Sequence, residues 1–140
     1  MLFKLPVPTL AVTDLDKAKS FYGETLGLEE IRTSTSAGSD ALYRVGDGHL
    51  YVYERPEHSA SGATVCSLEV EDVEATVEKL RERGITFEEY NLPEMGLETK
   101  NGVATLGEIK SAWFKDPFGN ILAIGDAMNV LSKQRQPAQV

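Results

Sequence analysis

The sequence is poor in the residues that make covalent or metal chemistry easy. Cys66 is the only cysteine, so no intrachain disulfide can form. His49 and His58 are the only histidines. One sits beside a glycine turn and the other in a polar linker, so both are expected on the surface, without a metal or catalytic role. No apolar run approaches the ~20 residues of a membrane span. The apolar start is interrupted by Lys4, Pro6 and Pro8 and is too short for a secretory h-region. Cations are outnumbered, 14 Lys and Arg against 22 Asp and Glu, for a net charge of −8. Phosphate recognition needs clustered Lys and Arg, so nucleic acid is not an expected partner. The acidity reads first as solubility and second as compatibility with a cationic ligand. A cytoplasmic protein without membrane or nucleic-acid partners is the expectation.

What the chain does contain is a copy of itself. Val7-Pro-Thr-Leu-Ala-Val-Thr-Asp14-Leu15 returns 58 residues later as Val65-Cys-Ser-Leu-Glu-Val-Glu-Asp72-Val73. Each copy reads as a strand closed by an Asp that caps a helix. Leu15, Ala18, Phe21, Tyr22 and Leu26 form one amphipathic stripe, stopped by Gly27. Val73, Val77 and Leu80 form the other, stopped by Gly84. Strands are predicted at Leu28–Thr33, Ala41–Val45 and His49–Glu54 in the first copy, with a Ser/Thr/Gly-rich loop at Ser34–Asp40. In the second they fall at Ile85–Tyr90, Ile109–Lys115 and Asn120–Ile124. Matching Gly48 to Gly119 aligns Val52 with Ala123. The expected domain is a single duplicated one over 1–126, with βαβββ modules at about 5–56 and 64–126. A tail at 127–140 is expected to start with a helical turn through Leu131 and to fray from Ser132. Asn91–Gly107 lies outside the repeat and reads equally as a lid or as a mobile insertion.

Val12-Thr-Asp14-Leu15 with Phe21-Tyr22 and Leu26-Gly27-Leu28 carries a further signal. So does Val70-Glu-Asp72-Val73 with Trp113-Phe-Lys-Asp116-Pro-Phe-Gly119-Asn120. Over about residues 5–126 the chain resembles the vicinal oxygen chelate superfamily, which groups glyoxalase I, bleomycin-resistance proteins, fosfomycin-resistance enzymes and extradiol dioxygenases. The resemblance implies an α+β fold in which two βαβββ modules form a curved sheet cup with helices outside. It also implies a homodimer. In the metal-dependent families, His, Gln or Glu ligands occupy the first and last strand of each module. Carried over by position, those ligands fall on Val7, Val52, Val65 and Ala123. None of the four has a donor atom, so neither a metal nor another cofactor is expected.

Residues two apart share a sheet face, which sets the expected cup lining. It comprises Val7, Thr9 and Ala11; Leu50, Val52 and Glu54; Val65, Ser67 and Glu69; and Ile121 and Ala123. Tyr43 and Trp113 are candidate aromatic walls. Leu10, Val12, Cys66, Leu68, Val70, Leu122 and Ile124 would pack under helices, leaving Cys66 an inert buried thiol. Glu54 and Glu69 are the cup carboxylates, read either as general base and cation contact or as solvated rim residues. The leading expectation is a metal-independent small-molecule binding protein of the bleomycin-resistance type. It would hold an apolar or aromatic ligand, cationic ones included. The alternative is an enzyme of the same fold, lyase, isomerase or dioxygenase-like, using a cup carboxylate or a metal bound elsewhere. A ligand-free interaction module ranks third.

Overall fold

The computed structural model describes residues 1–34 and 39–134. The chain forms two compact units: Met1–Val65 with Asp116–Asn120, and Cys66–Lys115 with the chain from Ile121. Among the described residues no helix is long and apolar enough to cross a membrane.

The first unit runs β1 (Thr9–Val12), α1 (Leu15–Lys19), β2 (Glu29–Ser34), β3 (Asp40–Val45) and β4 (Gly48–Glu54). Its sheet has the order β1-β4-β3-β2, with β1 parallel to β4 and the other pairs antiparallel. Asp14 caps α1 by accepting from the Lys17 amide at 3.1 Å. The helix then widens into a π-helical turn over Ser20–Thr25, and Gly27 ends it at φ 75. Leu15, Ala18 and Tyr22 are buried against Leu10, Val12, Ala41, Tyr43, Leu50 and Val52 on one face of the sheet. Each large apolar side chain so buried contributes about 1.5–3 kcal/mol. Among the described residues of this unit, no helix packs on the other face of the sheet. Most of the loop expected at Ser34–Asp40 lies outside the described residues.

The second unit contains β5 (Thr64–Glu69), α2 (Val73–Glu82), β6 (Asn91–Leu92) and β7 (Leu97–Lys100). After these come β8 (Val103–Leu106), β9 (Ile109–Lys115), β10 (Ile121–Gly125) and α3 (Ala127–Gln134). The sheet order is β5-β10-β9-β8-β7-β6. Asp72 caps α2 by accepting from Ala75, and Val73, Val77 and Leu80 are buried. The same core holds Cys66, Ala112, Phe114, Leu122 and Ile124.

Three expectations change here. Ile85–Tyr90 is not a strand but makes a single bridge from Phe87 to Phe114, their rings edge to face at 5.6 Å. Asn91–Gly107 is instead folded as strands. Asn101 and Gly102 adopt φ 52 and 79, the left-handed pair of a tight hairpin turn, and zip β7 onto β8. That hairpin pairs with β9 through β8 and so occupies the edge that Ile85–Tyr90 would have taken. At the end of the chain, α3 continues past Leu131 to Gln134, and the rest of the expected frayed tail lies outside the described residues.

Tyr43 gives a stability test. Its hydroxyl is fully buried with no hydrogen-bond partner among the described residues. Burial first, and the nearby Glu30 charge second, push its phenol from 10.0 up to about 12. Tyr43→Phe is expected to gain about 1 kcal/mol in urea unfolding by removing an unsatisfied buried group. The folded state holds this proton at pH values where the unfolded chain has lost it. Wild type therefore weakens relative to the variant as pH rises from 10.0 towards about 12, and the difference is constant below. An unchanged stability difference across that interval would refute the assignment.

Candidate functional site

Register decides which side chains each sheet presents. In the first sheet Leu10 lies beside Val52 and Val12 beside Glu54, while Thr9 lies beside Tyr51 and Ala11 beside Tyr53. Leu50, Val52 and Glu54 therefore stand on the helix side, not on the open face expected for them. Tyr43 pairs with Leu50 and is buried with it, so it is core and not an aromatic wall. The cause is turn length. Val45 and Gly48 flank a two-residue turn, whereas Lys115 and Ile121 flank five residues. Aligning Gly48 with Gly119 across unequal turns shifts the register by one, and a one-residue shift exchanges faces.

Glu54 consequently has a structural task. Its Oε2 accepts from the Leu15 amide at 2.7 Å, at the start of α1. Glu54→Gln keeps an acceptor there and is expected to cost only about 0.5 kcal/mol while leaving ligand binding unchanged. A tenfold fall in affinity, measured by calorimetry, would return Glu54 to the site.

The open face of the first sheet is built from Thr9 and Ala11, Tyr51 and Tyr53, Leu42 and Arg44 on β3, and Arg32 on β2. Tyr51 and Tyr53 lie two residues apart, their rings 6.3 Å between centroids and 11° from parallel. The Tyr51 hydroxyl donates to Asp40 at 2.6 Å. That hydrogen bond first, with burial and the Asp40 charge, raises the phenol above its ordinary range and keeps it a donor. Where the resemblance placed Val52 among the ligand positions, the open face offers the phenols of Tyr51 and Tyr53. Val7 and Val65 are exposed, by 42% and 41%, and neither has a donor. Ala123 has none either. Among the described residues no three His, Cys, Asp or Glu side chains converge. This donor set does not fit the metal of the metal-dependent families.

A cleft of about 420 Å³ opens at the β1 edge of this face, lined by Thr9, Ala11, Tyr53, Arg55, His58 and Val65 among others. Its buried wall is Asn120, 3% exposed. Asn120 Nδ2 donates to the Ala11 carbonyl at 2.9 Å and to Asp116 Oδ2 at 2.8 Å, while Oδ1 meets His58 Nε2 at 2.8 Å. Asp116, also buried, accepts from the Tyr22 hydroxyl at 2.6 Å and from the amides of Phe118 and Asn120. His58 is thus half-buried and fixed, not a free linker residue. The Asp116-Pro-Phe-Gly-Asn120 run signalled the turn in the sequence, but nothing there pointed to His58.

In the second sheet Ala123 pairs with Trp113 and Ile121 with Lys115 on one face, Leu122 with Phe114 and Ile124 with Ala112 on the other. Ile121, Ala123 and Trp113 therefore share the face opposite the α2-covered core, and Ile121 and Ala123 are buried there, 8% and 7% exposed. Trp113 packs edge to face on Tyr90 at 5.4 Å. Ser67 and Ala123, with Ser111, Gly125 and Met128, line a cleft of about 310 Å³ beside α3. Glu69 is not free within it. Its two oxygens accept from the Met128 and Asn129 amides at 3.1 and 2.9 Å, capping α3. Burial pushes the Cys66 thiol up, in keeping with an inert core cysteine.

Solved structures with this architecture are numerous. UcmS2 is 26% identical over 90% of this chain and 99% of its own, with a TM-score of 0.71. TnmS3, an antibiotic binding protein from Streptomyces sp. CB03234, is 23% identical over 89% and 96%, with a TM-score of 0.64. The fosfomycin resistance protein FosX from Listeria monocytogenes is 16% identical over 89% and 93%, with a TM-score of 0.65. The family model for the Glyoxalase/Bleomycin resistance protein/Dioxygenase superfamily matches residues 4–124. With nearly the whole chain matched, the protein belongs to that superfamily.

Proposed function

We propose that this protein is a metal-independent small-molecule binding protein that holds a flat aromatic ligand against the open face of its first sheet. The observation that carries the reading is the near-parallel pair Tyr51 and Tyr53, with Tyr51 held by Asp40. Such rings offer rigid apolar area together with polar tips, the usual make-up of small-molecule sites. The π-faces accept a ligand carrying positive charge, and Asp40 partly offsets the Arg32 and Arg44 guanidiniums on the same face. TnmS3, which shares the fold, is an antibiotic binding protein, so aromatic antibiotics and cationic glycopeptides are reasonable first probes.

Glu54 through Oε2 and Glu69 through both oxygens, the cup carboxylates of the enzymatic alternative, accept from helix N-termini. That supports binding over catalysis at these residues. A homodimer and a cytoplasmic setting are kept within the same proposal. Calorimetric titration of protein purified without chelator tests it, alongside elemental analysis. Saturable binding of an aromatic probe, unaltered by EDTA, is expected. Near-stoichiometric transition metal whose removal abolishes binding would overturn it.

A further inference from the structure

The hydrogen-bond network behind the 420 Å³ cleft leaves His58 in one orientation. Asn120 Nδ2 has two hydrogens and two acceptors, the Ala11 carbonyl and Asp116 Oδ2. Its amide therefore cannot be turned round, and Oδ1 must be the atom facing His58. A carbonyl oxygen only accepts, so His58 Nε2, 2.8 Å away, must donate. In its neutral form the imidazole is then protonated on Nε2, and Nδ1 carries a lone pair with no partner among the described residues. Asp116 holds Asn120 from behind through both its side chain and its backbone amide, so the orienting group is itself buried and fixed.

From this geometry we infer that His58 is a specificity-determining residue, presenting Nδ1 as a fixed acceptor for a ligand that carries a hydroxyl on a flat ring. The inference rests on the reading of the open face as a ligand site and names the chemistry that the site selects. Tyr53 belongs to both the face and the cleft, so a ring lying on it can direct its hydroxyl towards His58. Val65 and Ala11 supply apolar wall, and the lining charges Arg55 and Glu57 oppose one another in sign. A site built around an acceptor discriminates sharply against an analogue that cannot donate, because the acceptor of half-buried His58 would lose its water beneath the ring and gain nothing.

Two measurements test this. Nitrogen-15 NMR of the ligand-free full chain is expected to show His58 as the Nε2–H tautomer. A spectrum dominated by Nδ1–H would overturn the assignment. Binding of 2-naphthol is then compared with that of 2-methoxynaphthalene, which has the same ring and no donor. Wild type is expected to prefer the naphthol by about tenfold. His58→Phe is expected to abolish the preference and His58→Gln, which retains an acceptor, to keep part of it. Equal binding of the two probes by wild type would overturn this inference and leave the open-face ligand reading standing. Binding of neither probe would overturn both.

Discussion

Asp116→Ala is expected to be the most damaging single substitution in the first unit, costing about 3 kcal/mol or more in urea unfolding. The carboxylate is 5% exposed and accepts four hydrogen bonds. Removing it takes the carboxylate acceptor from the Tyr22 hydroxyl, two backbone amides and one Asn120 Nδ2 hydrogen. Each stranded buried donor costs about 1–3 kcal/mol, and water entering the turn recovers only part of the sum. Asp116→Asn keeps one acceptor oxygen and is expected to lose about half as much. The same substitution should disturb His58, because Asn120 would be held through its side chain by the Ala11 carbonyl without the carboxylate behind it. A loss below about 1 kcal/mol for Asp116→Ala would mean that water replaces the carboxylate and that the network is not the anchor described here.

Tyr53→Ala is expected to have the largest effect on binding, weakening an aromatic ligand by about 30-fold, in the range of aromatic anchors at binding sites. Tyr53 is half-buried, stands beside Tyr51 and lines the cleft, so truncation removes ring area where the two features meet. Its stability cost is expected to stay near 1 kcal/mol, because Ala11 and Asp40 beside it in the sheet remain paired through backbone. Titration of the variant at matched folded fraction separates the two effects. Affinity within about threefold of wild type would move the ligand off this face.

Much of the fold was legible because its signals are local. Asp14 and Asp72 cap helices as their positions indicated, since a carboxylate one residue before an apolar stripe meets the free amides of the first turn. The Asn101-Gly102 pair is also a local signal, a two-residue hairpin turn within Asn91–Gly107, outside the repeat. The faces of β4 were not legible. They depend on which β1 residue lies beside Val52, and sequence spacing carried the wrong count across turns of unequal length. On β10 the local alternation holds, with Leu122 and Ile124 on one side and Ala123 on the other, each paired with β9.

The sequence by itself determined the superfamily, the capped helices, the single inert cysteine and the lack of donors at Val7, Val65 and Ala123. These depend on residue type and on neighbours a few positions away. Only the tertiary structure decided that Tyr51 and Tyr53 face outwards while Tyr43 and Val52 are core. It also decided that Glu54 and Glu69 cap helices, and that His58 meets Asn120 across 62 positions of chain. Strand pairing and side-chain networks join residues distant in sequence, and a shift of one position exchanges the buried and open faces of a strand.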